Sequence, residues 1–232
     1  MTVHFSDGFE TGDFSAWTDT LVNGNDNSIA TSSAQAKAGT YSAKVHLENA
    51  VAGDYALARK INFASIGSGS HIWASAWWFF PTGFDAQTTI RLFFVQEDGS
   101  PWAAICVQLN SSEQLYINDL LNMDQYYQDS PISVPTNQWV GIELHIYVHN
   151  TQGYMELWQD GVKIIEKTGI DTLPTNNYAH IRFGAVYVYG DQDTGGTDFY
   201  FDEVYIQDEQ KIPAKVGPIR FNPFGIRRFG GF

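Results

Sequence analysis

Cysteine is almost missing from this chain of 232 residues: Cys106 is the only one, so no intrachain disulfide can form. It lies in an apolar stretch, 102–109, where a buried, inert thiol is the expectation. Basic residues are also scarce. Residues 1–210 hold 26 acidic and 8 basic side chains, a net of −18. A surface without clustered Lys and Arg does not bind nucleic acid, so no such partner is expected. No apolar run approaches the roughly 20 residues of a membrane helix, and no membrane insertion is expected. His4, Asp7 and Glu10 interrupt the start, where a signal peptide would need an apolar core. Helical periodicity is missing from every long window, which excludes a helical bundle.

What the chain does have is alternation. In 139–149, Ile142, Leu144, Ile146 and Val148 point one way and Glu143, His145, Tyr147 and His149 the other. A period of two is the mark of a strand. Asn150 to Gly153 turn the chain, 154–159 return, and Asp160-Gly161 makes a second tight turn into 162–166. Further strands are expected at 42–47, 55–61, 71–80, 90–96, 102–109, 114–118, 179–189 and 198–206. The segment 71–80 is apolar at nearly every position and reads as a central strand covered on both faces. Residues 122–135 read as a long surface loop. Ile142, Leu144, Ile146, Trp73, Trp77, Phe93 and Phe183 are expected in or near the core. The class is all-β: a two-sheet antiparallel β-sandwich, or jelly roll, over 1–210, followed by an irregular C-terminal tail at 211–232.

Three stretches carry a family resemblance. W-x-x-I-E-x-x-I from Trp139, followed by L-W-x-D-G-x-x-I from Leu157, resembles the central hairpin of concanavalin A-like jelly rolls. That group includes laminin-G-type modules, legume lectins, laminarinase-type glucanases and several polysaccharide lyases. The segment from Phe5 to Trp17 resembles the opening of many bacterial members, and 198–206 their closing strand. The resemblance implies one fold and leaves the function open.

Catalytic patterns of that group are incomplete here. Glucanases carry E-x-D-x-E or E-x-D-x-x-E on one strand, and no such triplet exists in this chain. Alginate-lyase-type members use R-x-E-x-R, Q-x-H and Y-x-K-x-G-x-Y-x-Q. Here Arg91 supplies only the first Arg, Gln108 is followed by Asn110 where His belongs, and Arg182 and Gly184 echo K-x-G with Val186 where Tyr belongs. No catalytic residue is therefore assigned. The expected function is a non-catalytic, lectin-like recognition or structural module displayed on a larger assembly. The alternative is a polysaccharide lyase or glycoside hydrolase with a non-standard site. If the module binds a glycan, Arg91, Gln108, Tyr116 and Arg182 are the expected contacts, since sugar recognition pairs planar donors with aromatic platforms.

The resemblance further implies a structural calcium ion, with Asp7 or Glu10, Gly39 and Asp202 at the matching positions. His145 and His149 share a face but stand about 13 Å apart at ~3.3 Å per residue, too far for one zinc. The tail carries 5 basic and no acidic residues. Its Phe221, Phe224, Arg227, Arg228, Phe229 and Phe232 are of the types enriched at binding hot spots. They are expected to anchor the chain to neighbouring subunits in an oligomer or larger assembly. A virion surface suits a chain without disulfides or leader; an extracellular location would follow if a leader had been removed.

Overall fold

The computed structural model describes residues 2–24, 26–100, 104–192, 196–210 and 212. The expected tail contacts, Phe221, Phe224, Arg227, Arg228, Phe229 and Phe232, lie outside the described residues, as does the start of the strand placed at 102. Among the described residues there are fifteen strands and no helix.

In chain order the strands are β1 Val3–Asp7, β2 Asp19–Asn23, β3 Ser28–Ser32, β4 Ser42–Leu47, β5 Tyr55–Lys60, β6 His71–Phe79, β7 Ile90–Glu97 and β8 Ala104–Leu109. They continue as β9 Leu115–Asp119, β10 Asp124–Tyr126, β11 Trp139–Tyr147, β12 Gly153–Gln159, β13 Val162–Ile170, β14 Tyr178–Val188 and β15 Thr197–Gln207. One sheet runs β13-β12-β11-β6-β15-β4-β3, with β1 also paired to β15. The other runs β10-β9-β8-β7-β14-β5-β2. Every pairing is antiparallel, so the expected two-sheet sandwich is what forms.

The organising hairpin folds as its alternation requires. Ile142, Leu144, Ile146 and Val148 are fully buried between the sheets. Asp160 and Gly161 turn β12 into β13 with φ of 50° and 73°, a left-handed pair that glycine adopts without steric cost. Phe93 and Phe183 stack face to face, centroids 4.8 Å apart, with Trp78 against both. This aromatic stack fills the space between the sheets.

The structure departs from expectation at three places. Trp73 and Trp77 point away from the core, and Trp78 occupies it instead, because alternation along β6 puts odd positions outside. Trp73 is covered nonetheless, by a 3.9 Å stack on His145. Glu143 is fully buried on the outward side of β11, where its carboxylate accepts the Ile212 backbone N–H at 3.0 Å and the Gln210 side chain at 3.3 Å. Residues 122–135 are not a free loop. They add β10 to β9, return through a bridge between Gln114 and Ser133, and send Val134 into the core.

Candidate active site

The face of the seven-stranded sheet that points away from the core carries the chemistry. Directly paired residues share a face, so the register defines transverse rows across it. One row is Tyr116–Gln108–Arg91–Tyr187. The next is Asn118–Cys106–Phe94–Arg182–Arg59–Asp19. A third holds Ala104, Gln96 and His180. In a chain of net charge −13, all three arginines before residue 211 lie in these rows.

Two irregularities set the first row. The pairing of β7 with β8 shifts between Arg91 and Phe93, so Leu92 and Phe93 both face the core while Arg91 and Phe94 face out. The pairing of β14 with β7 shifts between Phe183 and Tyr187. Gly184 lies in this shift at φ 123°, with its Cα so close to β5 that an added Cβ would come within 2.5 Å of the Ala56 carbonyl oxygen. An extra residue in a strand reverses the phase of everything after it. Val186 and Tyr187 thus both reach the open face, and Tyr189 follows them at its edge.

Tyr189 is the focus of the site. Its hydroxyl oxygen accepts a hydrogen bond from Arg91 Nη2, a second from Gln108 Nε2 at 3.0 Å and a third from Asn118 Nδ2 at 3.4 Å. Three side-chain donors thus converge on one phenol oxygen. Gln108 is fully buried, and its amide is oriented from behind because its Oε1 accepts the Tyr116 hydroxyl. Burial pushes the Tyr116 phenol up to about 12, so it stays protonated and serves as a donor. Tyr116 stacks on Tyr127 at 4.9 Å, and Tyr187 meets Tyr189 edge-on at 4.7 Å. The Arg91 guanidinium lies 5.5 Å from both the Tyr187 and Tyr189 ring centroids, and its buried Nε has no partner among the described residues.

Of the four expected glycan contacts, Arg91, Gln108 and Tyr116 come together around Tyr189. Arg182 stands in the next row, its guanidinium 4.9 Å from the Phe94 ring centroid, where that of Arg91 is 6.0 Å away. Tyr187, Tyr189 and Asn118 escaped the sequence reading, which looked for tyrosine at the place of Val186. The usable signal was the Tyr-x-Tyr pair just before Gly190.

The positions matched to calcium lie in and beside the other sheet. Glu10 accepts the Thr40 N–H at 3.0 and 2.9 Å and the Tyr41 N–H at 3.0 Å, packed against Gly39. Asp202 accepts the N–H groups of Lys37 at 2.8 Å, Ala38 at 3.2 Å and Glu203 at 2.7 Å. These two carboxylates therefore bracket the 37–41 turn. Asp7 is engaged with the Phe9 N–H at 2.9 Å and the Trp17 indole at 2.7 Å. Among the described residues no group of three or more His, Cys, Asp or Glu sits together as a metal cluster. Burial still pushes the Asp202 carboxyl up to about 6 against the pull of its three amides, with Glu203 adding repulsion. The buried Asp202 carboxylate, the exposed Glu10 carboxylate and a backbone carbonyl at Gly39 are hard-oxygen ligand types, which calcium takes by chemistry.

Fold relatives agree with this architecture. An endo-β-1,4-glucuronan lyase from the fungus Trichoderma reesei superimposes with a TM-score of 0.69 at 15% identity, covering 90% of this chain and 96% of that one. An alginate lyase from a Chlorella virus gives 0.59 at 14% identity over 83% of this chain and all of that one. At such identities the likeness is one of fold. No curated protein matches the chain in sequence. The polysaccharide lyase family model, however, matches residues 9–205, and with the lyase neighbours it overturns the expectation of a non-catalytic module on a larger assembly. That expectation rested on departures from the catalytic motifs at fixed spacings, and the family match extends across the sandwich in spite of them. Matched across nearly the whole sandwich, the chain belongs to the polysaccharide lyase family.

Proposed function

We propose that the protein cleaves polymers of uronic acids by β-elimination, with Tyr189 as the proton-transfer residue. The observation that carries this reading is the convergence of Arg91, Gln108 and Asn118 on the Tyr189 oxygen. Two of the neighbouring structures are lyases of glucuronan and alginate, both uronic acid polymers.

In this reaction a base removes the proton on C5 of a uronate ring, next to the carboxylate. The electron pair left behind forms a C4=C5 double bond, and the C4–O4 bond breaks. O4 leaves with the neighbouring sugar and takes up a proton, creating a new reducing end there. Arg91 binds the carboxylate and stabilises the charge that spreads into it as C5 is deprotonated. Tyr189, held by three donors, takes the C5 proton and returns it to O4, which closes the proton balance on one oxygen. Tyr116 holds the Gln108 amide in the orientation that serves Tyr189. Tyr187 and Tyr127 offer aromatic walls for sugar rings.

The acidic body discourages non-specific binding of polyanions, while the arginine rows provide a local exception. A structural calcium held by Glu10, Asp202 and the Gly39 carbonyl belongs to the same reading, away from the reacting groups. It would tie the opening segment to the closing strand.

The test is incubation of the full chain with glucuronan, alginate and neutral glucans. Uronans are expected to yield ultraviolet-absorbing unsaturated ends and reducing ends in equal number. Reducing ends without that absorbance would mean hydrolysis and would refute elimination.

A further inference from the structure

Beside Asn118 the open face leads into a cavity of about 410 Å³, within the roughly 300–1,000 Å³ of small-ligand pockets. Its described lining is Asn118, Leu120, Met123 and Gln125, and none of these side chains is charged. That sets it apart from the arginine rows. The register places Asn118 of β9 directly opposite Gln125 of β10, so the two carboxamides share one face. Asn118 also reaches the Tyr189 hydroxyl at 3.4 Å, which makes the cavity continuous with the reacting centre. Gln125 Oε1 accepts the Tyr127 hydroxyl at 2.5 Å, which leaves the Nε2 end of that amide as a donor.

The apolar wall of the cavity is the turn between β9 and β10, and it is firmly built. Asp119, fully buried, accepts the Leu121 N–H at 3.0 Å, the Asn122 N–H at 3.3 Å and Asn122 Nδ2 at 2.7 Å. Asn122 Nδ2 also donates to the Asp171 carbonyl at 2.7 Å, tying the turn to the chain after β13. Leu120 packs against the apolar cluster that contains Phe94 and Cys106. Met123 is held at φ 57°, a region non-glycine residues seldom adopt. It is 90% exposed, against 37–56% for the other large apolar side chains on the described surface. A fixed turn thus presents a soft, adaptable apolar side chain beside the proton-transfer residue.

We infer that this cavity is an acyl-ester subsite, which holds an O-acetyl group carried by a uronate ring and so favours acetylated polymers over bare ones. The inference rests on the lyase reading of the Tyr189 site and adds a substituent that Tyr189 and Arg91 do not read. An acetyl ester presents a methyl group and a carbonyl oxygen. Met123 and Leu120 cover the methyl, and a carboxamide N–H of Asn118 or Gln125 donates to the carbonyl. A carboxylate does not suit the cavity, because no cation in the described lining offsets its desolvation. Those four side chains include no nucleophile, so the ester is held and not cleaved.

The experiment compares the full chain on glucuronan bearing O-acetyl esters and on the same polymer freed of them by mild alkali, matched in length. Burial of one methyl group is expected to make kcat/KM about five- to tenfold higher on the acetylated polymer. Met123→Asn removes the apolar wall while suiting the left-handed backbone, and the ratio is expected to fall to about one. Met123→Leu keeps an apolar wall and should keep the preference; equal loss in both variants overturns the apolar contact. A wild type that turns over the bare polymer as well or better overturns the subsite, as does a preference unchanged in Met123→Asn. If the wild type turns over neither polymer, the lyase reading fails on its own account. The cavity is then judged by calorimetric titration with the two polymers, where equal affinities overturn it.

Discussion

Replacing Tyr189 by Phe is the sharpest perturbation of the reading. The ring stays, so its edge-on contact with Tyr187 at 4.7 Å and the local packing are kept. What disappears is one oxygen, and with it the acceptor for Arg91, Gln108 and Asn118. Two effects then oppose each other. Proton transfer loses its agent, and positioned acid–base groups contribute about 10²–10⁴ to rate. Meanwhile the Arg91 guanidinium is freed to meet the substrate carboxylate, which favours binding. The expected result is a kcat reduced about 10³-fold, or ~4 kcal/mol in the barrier, with KM unchanged or lower. The assay is the initial rate of ultraviolet absorbance from unsaturated uronate on glucuronan, with melting temperature as the check on folding. Turnover above about a tenth of wild type would show that another group moves the proton.

Other consequences can be checked separately. Gly184→Ala places a Cβ against the Ala56 carbonyl at a left-handed φ, so β14 must shift. It is expected to cost roughly 1–3 kcal/mol of stability and to lower turnover more than melting would explain, because Tyr187 and Tyr189 lose their aim. Glu156 is partly desolvated, which would raise its carboxyl, but the hydrogen bonds from His145 at 2.8 Å and Lys163 at 3.0 Å prevail and hold it at about 2, below the ordinary 4.5. A depressed carboxyl stabilises the fold above its unfolded value and loses that contribution as pH falls from about 4.5 to about 2. Glu156→Gln should therefore lower the melting temperature at neutral pH and flatten its pH dependence across that window. Calcium is expected to raise the melting temperature and chelator to lower it, with Asp202→Asn removing the response; identical melts under both conditions would dismiss the ion.

Much of the fold was written in local pattern. The period of two in β11, the Asp160-Gly161 turn and the apolar run of β6 each specify a strand or a turn from a few neighbouring residues. What local pattern could not convey was phase. Trp73, Trp77 and Trp78 are chemically alike, and only the pairing of β6 with β11 and β15 decides which one enters the core. The site suffered more from the same blindness. Arg91, Gln108 and Tyr116 could be picked out by residue type, yet Tyr189 lies beyond the β14 shift, and only the folded register brings its hydroxyl to them. Burial of Glu143 was equally hidden, since its cover comes from Gln210 and Ile212, remote in the chain.

The lone thiol offers a way to watch this face at work. Cys106 pairs with Phe94 on one side and Asn118 on the other, fully buried, its ionisation pushed up to about 12 by burial. Reagents that attack thiolates can reach it only when the middle of the sheet opens. The rate of its alkylation in the native protein is therefore a clock for that opening, set by a single atom and free of competing cysteines. A polymer lying along the arginine rows would bridge β7, β8 and β9 and slow the clock, so substrate occupancy could be timed without any turnover at all.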